Sequence, residues 1–508
     1  MGSRKLRCVH DAASFCAYFR SPSTFVPTLP FQSNPFDNSY ARLPERCFAR
    51  LEPTPVREPE WIAFNEPLAR ELGLDPAELS GDEGLAVFAG NRVPGGAEPL
   101  AQAYAGHQFG HFVPQLGDGR ALLIGELVDP AGRRRDLQLK GSGPTPFSRS
   151  GDGRAWVGPV IREYLVGEAM AALGVPTTRA LAAVTTGEPV YREQPRPGAI
   201  LTRVGASHLR VGTFQFFAAR GDREALGELV AYACERHHPG ATGALGLLDA
   251  VASAQAELAA AWMSIGFVHG VLNTDNTTIS GETIDYGPCA FLDDYQPAQV
   301  YSSIDVRGRY AYGNQPRILL WNLAQLATAL LPLIDEDAGR AASRAEEVLG
   351  QFPERYEAAW LERFRRKLGL LEPREGDREL IESLLDSMTK AQADFTRTFR
   401  GLSEGTAVAE FKEPSGFLAF EQAWVSRLAE EGATRESRRS HLDRVNPALH
   451  PRNHRVEEAI EAAVTGDFEP FRRLHRALNT PFELSQADAE LALAPREEQL
   501  VHETFCGT

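Results

Sequence analysis

Two short polar signatures, HGVLNTDN (269–276) and IDYGP (284–288), decide how the rest of this sequence is interpreted. Asn276 and Asp285 would supply an amide oxygen and a carboxylate, which are the ligands that a hard cation such as Mg²⁺ requires. The plainer interpretation of HGVLNTDN is a polar turn with an Asx cap. We favour a metal site because both signatures follow an upstream Lys–Glu pair, described below.

The order of these signatures matches the nucleotide site of protein kinases. There, a catalytic loop of the pattern His-x-Asp-(x)₄-Asn precedes an Asp-x-Gly triplet, and the Asn and the second Asp bind Mg²⁺. Counting from His269, Asn276 and Asp285 occupy those two positions, whereas Val271 replaces the catalytic base. Two options stay open: a chain that binds nucleotide without catalysis, or a different base. Asp275 is the obvious replacement carboxylate.

Two glycine-rich stretches lie upstream, LGDGR (116–120) and SRSGDGR (148–154). Glycines allow backbone N–H groups to approach phosphates closely, and Arg120 adds a fixed cation. Asp152 and Gly153 belong to the second stretch. Either stretch alone is more typical of an ordinary turn, so the prediction that they approach phosphates depends on the neighbouring signatures.

Four charged residues complete the predicted site. Lys140 ends the strand-like run LQLK, and Glu163 lies on the next predicted helix, the arrangement by which a kinase fold aims an ammonium at phosphates. Arg203 and Arg210 fall where kinases keep an apolar adenine pocket, so we expect phosphates to lie near them. The alternative interpretation is that Lys140 is exposed at the end of its strand and that Arg203 and Arg210 are solvated surface residues.

The pattern of the chain changes near residue 205. Short β-type runs are predicted at 120–128 and 135–140, as a hairpin around DPAG, and at 181–186, 188–193 and 198–204, with one helix at 160–174. Helices are predicted at 222–236, 248–267, 317–334, 341–368, 376–400, 417–431 and 455–464.

This pattern predicts an α+β, protein-kinase-like bilobal fold. Residues 34–205 would form a small β-rich N-lobe with one key helix. Residues 206–508 would form a large, mainly helical C-lobe with the catalytic loop 269–276, the metal motif 285–287 and a Cys-containing tail. Residues 1–33 are expected to be a disordered leader or an extended start.

Composition excludes several classes of protein. The net charge of −15 over 508 residues argues against nucleic acid as a partner, because phosphate contacts need clustered Lys and Arg. The six cysteines lack the spacing of a zinc site or a disulfide scaffold. The apolar run 318–334 contains Asn322, Gln325 and Pro332, so we interpret it as a buried core helix and expect no membrane partner. We expect a cytoplasmic location for a bacterial chain, or a mitochondrial one if the leader is a transit peptide.

The sequence resembles the selenoprotein O family. The matching segments are NPFDNSYARLPERCFARLEPTPV (34–56), AYAGHQFGHFVPQLGDGRA (103–121), LQLKGSGPTPFSRSGDGRA (137–155), REYLVGEAMAALGVPTTRAL (162–181), HGVLNTDNTTISGETIDYGPCAFLDDY (269–295) and RYAYGNQPRILLWNLAQLA (309–327). Similarity is weaker around NPALHPRNH (446–454), where HPRNH replaces a leucine-containing form of the motif.

The resemblance implies protein adenylylation, in which ATP binds in the reverse orientation to that in kinases and AMP passes to Ser, Thr or Tyr hydroxyls of other proteins. It implies Mg²⁺ as the cofactor, with Mn²⁺ able to substitute, and leaves open whether UTP also serves. The residues implied to contact the nucleotide are Gly117, Gly119, Arg120, Lys140, Asp152, Gly153, Arg203, Arg210 and Asp285. Asn276 and Asp285 would hold the metal, Asp275 would accept the proton and Glu163 would position Lys140.

Two other functions are kept as alternatives: a kinase-type phosphotransferase and an inactive nucleotide-binding scaffold. The resemblance singles out Cys506, and we consider Cys289 as its candidate redox partner. Cys506 lies near the C-terminus, where family members carry selenocysteine or cysteine, and Cys289 follows Asp-Tyr-Gly. The alternative is a buried core Cys289 and a free surface thiol at Cys506.

Overall fold

A computed structural model of the chain describes residue 31 and residues 35–505. Its strands are β1 (Phe48–Arg50), β2 (Trp61–Phe64), β3 (Leu100–Gln102), β4 (Gly106–Gln108), β5 (His111–Val113), β6 (Ala121–Val128), β7 (Arg134–Lys140), β8 (Ala155–Trp156), β9 (Arg179–Tyr191), β10 (Pro195–Gly205), β11 (Phe267–Val268) and β12 (Ala290–Phe291). The predicted leader, apart from Phe31, and Cys506 lie outside the described residues.

The helices follow mainly in the second half of the chain. They are α1 (Glu66–Glu71), α2 (Pro76–Leu79), α3 (Asp82–Phe88), α4 (Val157–Ala172), α5 (Val211–Ala218), α6 (Arg223–His237), α7 (Gly243–Ser264), α8 (Gln315–Ile334), α9 (Ala338–Gly350), α10 (Phe352–Lys367), α11 (Asp377–Ala391), α12 (Phe395–Glu404), α13 (Ser415–Ala429), α14 (Arg435–Val445), α15 (Asn453–Val464) and α16 (Glu469–Leu478). The chain is therefore a mixed α+β protein.

The main sheet is antiparallel, with the strand order β1-β3-β6-β7-β10-β9-β2 and with β8 paired to β10. The predicted hairpin is present as β6 and β7, and Ala121 lies opposite Lys140. Strand β10 pairs with β7 so that Leu201 lies opposite Lys140 and Arg203 opposite Gln138. Because side chains alternate along a strand, Lys140 and Arg203 project from the same face of the sheet.

Helix α4 packs against that face. It is buried all round, with Val160, Ile161, Tyr164 and Leu165 in the core. Its other neighbours are α15 and α16, so the end of the chain folds back onto the helix next to the sheet. A helix enclosed in this way can hold charged side chains only where partners are supplied, and Arg162 and Glu163 have such partners.

Some predicted boundaries were wrong. The runs 181–186 and 188–193 form the single strand β9, because Gly187, at φ 67°, is accommodated beside a register shift between β9 and β10. The predicted helix 341–368 divides where Pro353 starts α10. The predicted helix 376–400 divides at Gln392, which is left-handed, and Asp394 then caps α12.

Two helical segments, Gly243–Ser264 and Tyr312–Ile334, are long and apolar enough to cross a membrane by length and composition alone. Helix α7 packs against α8, and the most apolar windows of the two segments are 61% and 44% buried. The run 318–334 contributes Leu319, Leu323 and Leu330 to the core, as the prediction of a core helix requires.

Candidate active site

A cavity of about 410 Å³ brings the predicted residues together. The predicted side chains and glycines that line it are Gly117, Gly119, Arg120, Lys140, Asp152, Gly153, Arg203, Arg210, Asp275, Asn276 and Asp285. Its described lining carries seven Lys or Arg side chains and four Asp side chains. Because the whole chain carries a net charge of −15, this excess of cations is local, and it suits a polyphosphate anion.

The first glycine-rich stretch packs against the residues that lead into the second. Gly117 has φ 83°, and a Cβ there would lie 2.3 Å from the ring of Phe147. Thr145 donates its hydroxyl proton to the carbonyl of Asp118 at 2.7 Å. Only glycine fits at position 117, since it tolerates both the left-handed backbone and the close approach.

The predicted lysine–glutamate pair is present and is extended by an arginine. Lys140 Nζ lies 2.6 Å from Glu163 Oε2, and Arg203 Nε lies 2.6 Å from Glu163 Oε1. Burial alone would raise the pKa of Glu163, but Arg203 and Lys140 outweigh it and hold the pKa below its usual value. Glu163 therefore orients two cations instead of the single one predicted.

Asp285 joins the same network. Its Oδ1 lies 2.7 Å from Lys140 Nζ and 3.5 Å from Arg203 Nη2. Burial would raise the pKa of Asp285, but Lys140, Arg203 and Arg120 hold it well below the usual value, so the carboxylate is ionised. Its φ of 66° is unusual for a residue other than glycine and occurs where surrounding structure fixes it.

The loop 269–276 is held by a contact to the segment of Asp285 and by a hydrogen bond within the loop. The imidazole Nε2 of His269 contacts the carbonyl of Ile284 at 3.0 Å, which joins the loop to the segment of Asp285. Asn276 Nδ2 donates to the carbonyl of Val271 at 2.9 Å, and this bond fixes the orientation of its amide group. Val271 is buried and offers no proton acceptor.

Asp275 has the environment expected of a proton acceptor. Burial raises its pKa to about 6, although the hydrogen bond from Gln108 and the charge of Arg210 oppose the shift. Gln108 Nε2 donates to its Oδ2 at 3.1 Å, whereas its buried Oδ1 has no partner within the described part of the chain. An unpartnered buried carboxylate oxygen beside Asn276 fits a site that also receives a cation or a substrate hydroxyl.

Arg210 is buried, as Arg203 is, so the alternative of two solvated arginines is wrong. Its Nη1 donates to the backbone carbonyl of Asp275 at 2.7 Å, and its guanidinium stacks over Tyr104, 4.5 Å from the ring centroid. Asp118 lies 3.8 Å away and is also buried. Arg210 thus supports the loop that carries Asp275 as well as lining the cavity.

Asp152 differs from the other predicted residues because it is exposed. Its Oδ2 pairs with Arg192 Nη1 at 2.8 Å, and its Oδ1 accepts from the Arg154 backbone N–H at 2.9 Å. These contacts close the second glycine-rich loop onto the strand end that carries Arg192. Asp152 therefore contributes to the wall of the cavity through this loop.

Several lining residues were missed by sequence reasoning. They are Tyr104, Gln108, Asp118, Arg149, Arg192 and Asn273. Gln108 and Asp118 lie within AYAGHQFGHFVPQLGDGRA, so the motif itself marked their region. Arg149 belongs to SRSGDGR, so that stretch likewise marked its region. Arg192 follows directly after β9, and no local pattern indicates that it faces the site.

Of the predicted redox pair, only Cys289 lies within the described residues. Its side chain is buried, and burial raises the pKa of its thiol to about 12. These observations agree with a core cysteine. Cys506 lies outside the described residues, so the pairing of the two cysteines stays a prediction.

Comparison with known proteins identifies the family of the chain. Residues 30–479 match the family model described as "Protein adenylyltransferase SelO". A protein of Ruegeria sp. (strain TM1040) is 59% identical, covering 93% of this chain and 99% of its own length, and is named "Protein nucleotidyltransferase YdiU". Proteins with the same name from Bradyrhizobium sp. (strain ORS 278) and Rhizobium leguminosarum bv. trifolii (strain WSM2304) are 56% and 57% identical. Each of these alignments covers 93% of this chain, and 99% and 97% of the two relatives respectively.

A buried Lys–Glu–Asp network beside a cation-rich cavity is the site of a nucleotide-using transferase. The chain belongs to the SelO family of protein adenylyltransferases, which confirms the resemblance found in the sequence. It is accordingly an enzyme of the nucleotidyltransferase class.

Proposed function

We propose that this chain transfers AMP from ATP to the hydroxyl group of Ser, Thr or Tyr side chains in other proteins, within a kinase-like bilobal fold. The observation that carries the proposal is the position of the acidic side chain. Asp275 lines the cavity next to Asn276, whereas Val271 occupies the place where a kinase has its base. A reaction with a displaced base requires a differently placed substrate, which supports the reversed nucleotide.

The kinase-like assignment rests on three contacts. A strand lysine, Lys140, is held by a helix glutamate, Glu163, and also contacts Asp285 of the Asp-Tyr-Gly triplet. The loop 269–276 is joined to that triplet through His269. In a kinase-like fold, such a site combines residues of the sheet-containing lobe with residues of the helical lobe.

Asn276 and Asp285 would hold a divalent cation, Mg²⁺ or Mn²⁺, and the oxygen donors present fit such an ion. When bound, the ion would neutralise charge on the phosphates. The chain's own residues would do the rest. Lys140, Arg203 and Arg120 would bind phosphate oxygens, since their charges already converge on one side of the cavity.

The acceptor oxygen forms a bond to the α-phosphorus, and the bond from that phosphorus to the oxygen bridging to the β-phosphorus breaks, so pyrophosphate leaves. Asp275 takes the proton of the acceptor hydroxyl, which its raised pKa favours.

Intact-mass analysis after incubation with ATP and Mg²⁺ tests this proposal. An AMP adduct on the chain itself or on an added protein supports it, and Asp275→Asn should remove the adduct. A phosphate adduct would instead indicate a kinase-type phosphotransferase. Thermal stabilisation by ATP without any adduct would indicate an inactive scaffold. Parallel incubation with UTP tests whether a second nucleotide serves.

A further inference from the structure

Arg162 precedes Glu163 on α4, and its side chain is also buried. Its Nη1 donates to the carbonyl oxygen of Gly287 at 2.9 Å and to that of Phe505 at 3.0 Å. Its Nη2 pairs with Glu457 on α15. One guanidinium thus joins α4, the turn after Asp285, α15 and the C-terminal tail.

The C-terminal tail has further contacts of its own at this place. Thr504 donates its hydroxyl proton to the carbonyl of Pro288 at 2.6 Å and its backbone N–H to Tyr301 O at 2.7 Å. Ser303 donates its N–H to the Thr504 carbonyl at 3.1 Å. The tail therefore lies between the turn that follows Asp285 and the segment 301–303, which leads to Ile304 in the cavity wall.

These contacts bear on the geometry of Asp285. Its backbone is left-handed, a conformation that persists only where neighbouring structure fixes it. The N–H of Gly287 donates to the Asp285 carbonyl at 2.8 Å, forming a tight turn, and Arg162 binds the carbonyl at the far end of that turn. Glu163, the next residue, orients Lys140 against the Asp285 carboxylate. Two adjacent residues of α4 thus act on Asp285: Arg162 fixes its backbone turn, and Glu163, through Lys140, fixes its side chain.

We propose that Arg162 is a positioning residue for Asp285, and that Thr504 and Phe505 of the tail are structural parts of the active site. The helix α4, the Asp285 turn and the tail move as one unit. The inference rests on the proposed function for its kinetic consequences, whereas the coupling of the three segments does not depend on it.

The test compares Arg162→Gln, Arg162→Lys, a chain ending at Glu503, and the combination of Arg162→Gln with that shortened chain. The matched control is Arg455→Gln on α15, because Arg455 pairs with Glu458 of its own helix and lies in no contact with the Asp285 turn. Circular dichroism and thermal unfolding show whether each variant is folded. Should Arg162→Gln fail to fold, Arg162→Lys and the shortened chain carry the test.

We expect Arg162→Gln to lower kcat for AMP transfer by about 10- to 100-fold, as loss of a supporting contact does in other sites. KM for ATP should change less than kcat does, because Arg162 does not line the cavity and only the placement of Asp285 is disturbed. Arg162→Lys should retain intermediate activity, since an ammonium keeps the charge and part of the hydrogen bonding. The combined variant should be no worse than Arg162→Gln, because both changes break one shared interaction.

Hydrogen–deuterium exchange supplies a readout that does not need catalysis. Amides of residues 284–291 should exchange faster in Arg162→Gln and in the shortened chain, and at the wild-type rate in Arg455→Gln. Unchanged exchange and kcat in the Arg162 variants, or losses that multiply in the combined variant, would overturn the proposal. If the wild-type chain transfers no AMP but residues 284–291 still exchange faster in the variants, the coupling stands and only the proposed function is rejected.

Discussion

Gly106 lies directly against the carboxylate of Asp275: a Cβ at position 106 would be 2.8 Å from Asp275 Oδ1. Of the two carboxylate oxygens of Asp275, Oδ1 is the one that has no hydrogen-bond partner among the described residues. Strand β4 therefore approaches the loop so closely that only a hydrogen atom fits between them. The same strand continues to Gln108, which binds the other oxygen of Asp275.

We predict that Gly106→Ala lowers kcat, by about tenfold or more, because the added methyl group must displace Oδ1 and small misplacements of a reacting group are costly. ATP binding should change little, since Gly106 does not line the cavity. Gly227→Ala is the control, as a Cβ there meets no atom within 4 Å. A wild-type kcat for Gly106→Ala would show that the position of Oδ1 does not matter for transfer.

The raised pKa of Asp275 gives a pH dependence with a definite sign. A proton acceptor must be ionised, and its pKa is raised to about 6, so activity should be lost as the pH falls through that value. A bound cation favours the ionised form and moves the midpoint lower. The measurement is kcat/KM against pH, with thermal stability followed in parallel. A midpoint of the kcat/KM profile well above pH 6, or a kcat/KM that does not fall at acidic pH, would exclude Asp275 as the base.

Asp285→Asn should abolish metal-dependent transfer, with a loss of at least about 100-fold. The carboxylate is held ionised by three cations, and an uncharged amide is a poorer ligand for a hard cation. Mn²⁺ binding followed by electron paramagnetic resonance, alongside the rate of AMP transfer, checks both parts. The control is Asp386→Asn, on the exposed face of α11. Retention of the wild-type rate by Asp285→Asn would remove the basis of the metal site.

Arg203→Ala should reduce binding of ATP more than binding of adenosine. Its guanidinium meets Glu163 and Asp285, on the side of the cavity where the cations converge. Isothermal titration with the two ligands separates the effects. Equal losses for ATP and adenosine would mean that Arg203 contacts the nucleoside or supports the fold, which would weaken the reversed orientation.

Much of the site could be predicted from the sequence because its key residues lie in short signatures. Asn276 and Asp285 follow a fixed spacing. Lys140 ends a strand and Glu163 lies on the next long helix, in a recognisable order. Gln108 and Arg192 could not be predicted in the same way. They reach the cavity through the packing of β4 and the end of β9, which no local pattern encodes.

The fold was predictable to a similar degree. The hairpin β6–β7 follows from two β-type runs around the DPAG turn, and helix α4 from the spacing of Val160, Ile161, Tyr164 and Leu165. Helix α5, VGTFQFFA, was missed because β-branched and aromatic residues have low helix propensity, and burial of Phe214 and Phe217 supplies the stability instead. The break at Gln392 was missed because a left-handed residue other than glycine leaves no mark in the sequence.

The central claim is that the α-phosphate, and not the γ-phosphate, meets the acceptor hydroxyl. The most direct measurement incubates the chain and a mixture of acceptor proteins with ATP carrying an isotope at either position, followed by denaturing separation of the proteins. We predict covalent label from the α-position only, and none with Asp285→Asn. Label from the γ-position, retained on protein after denaturation, would contradict the account.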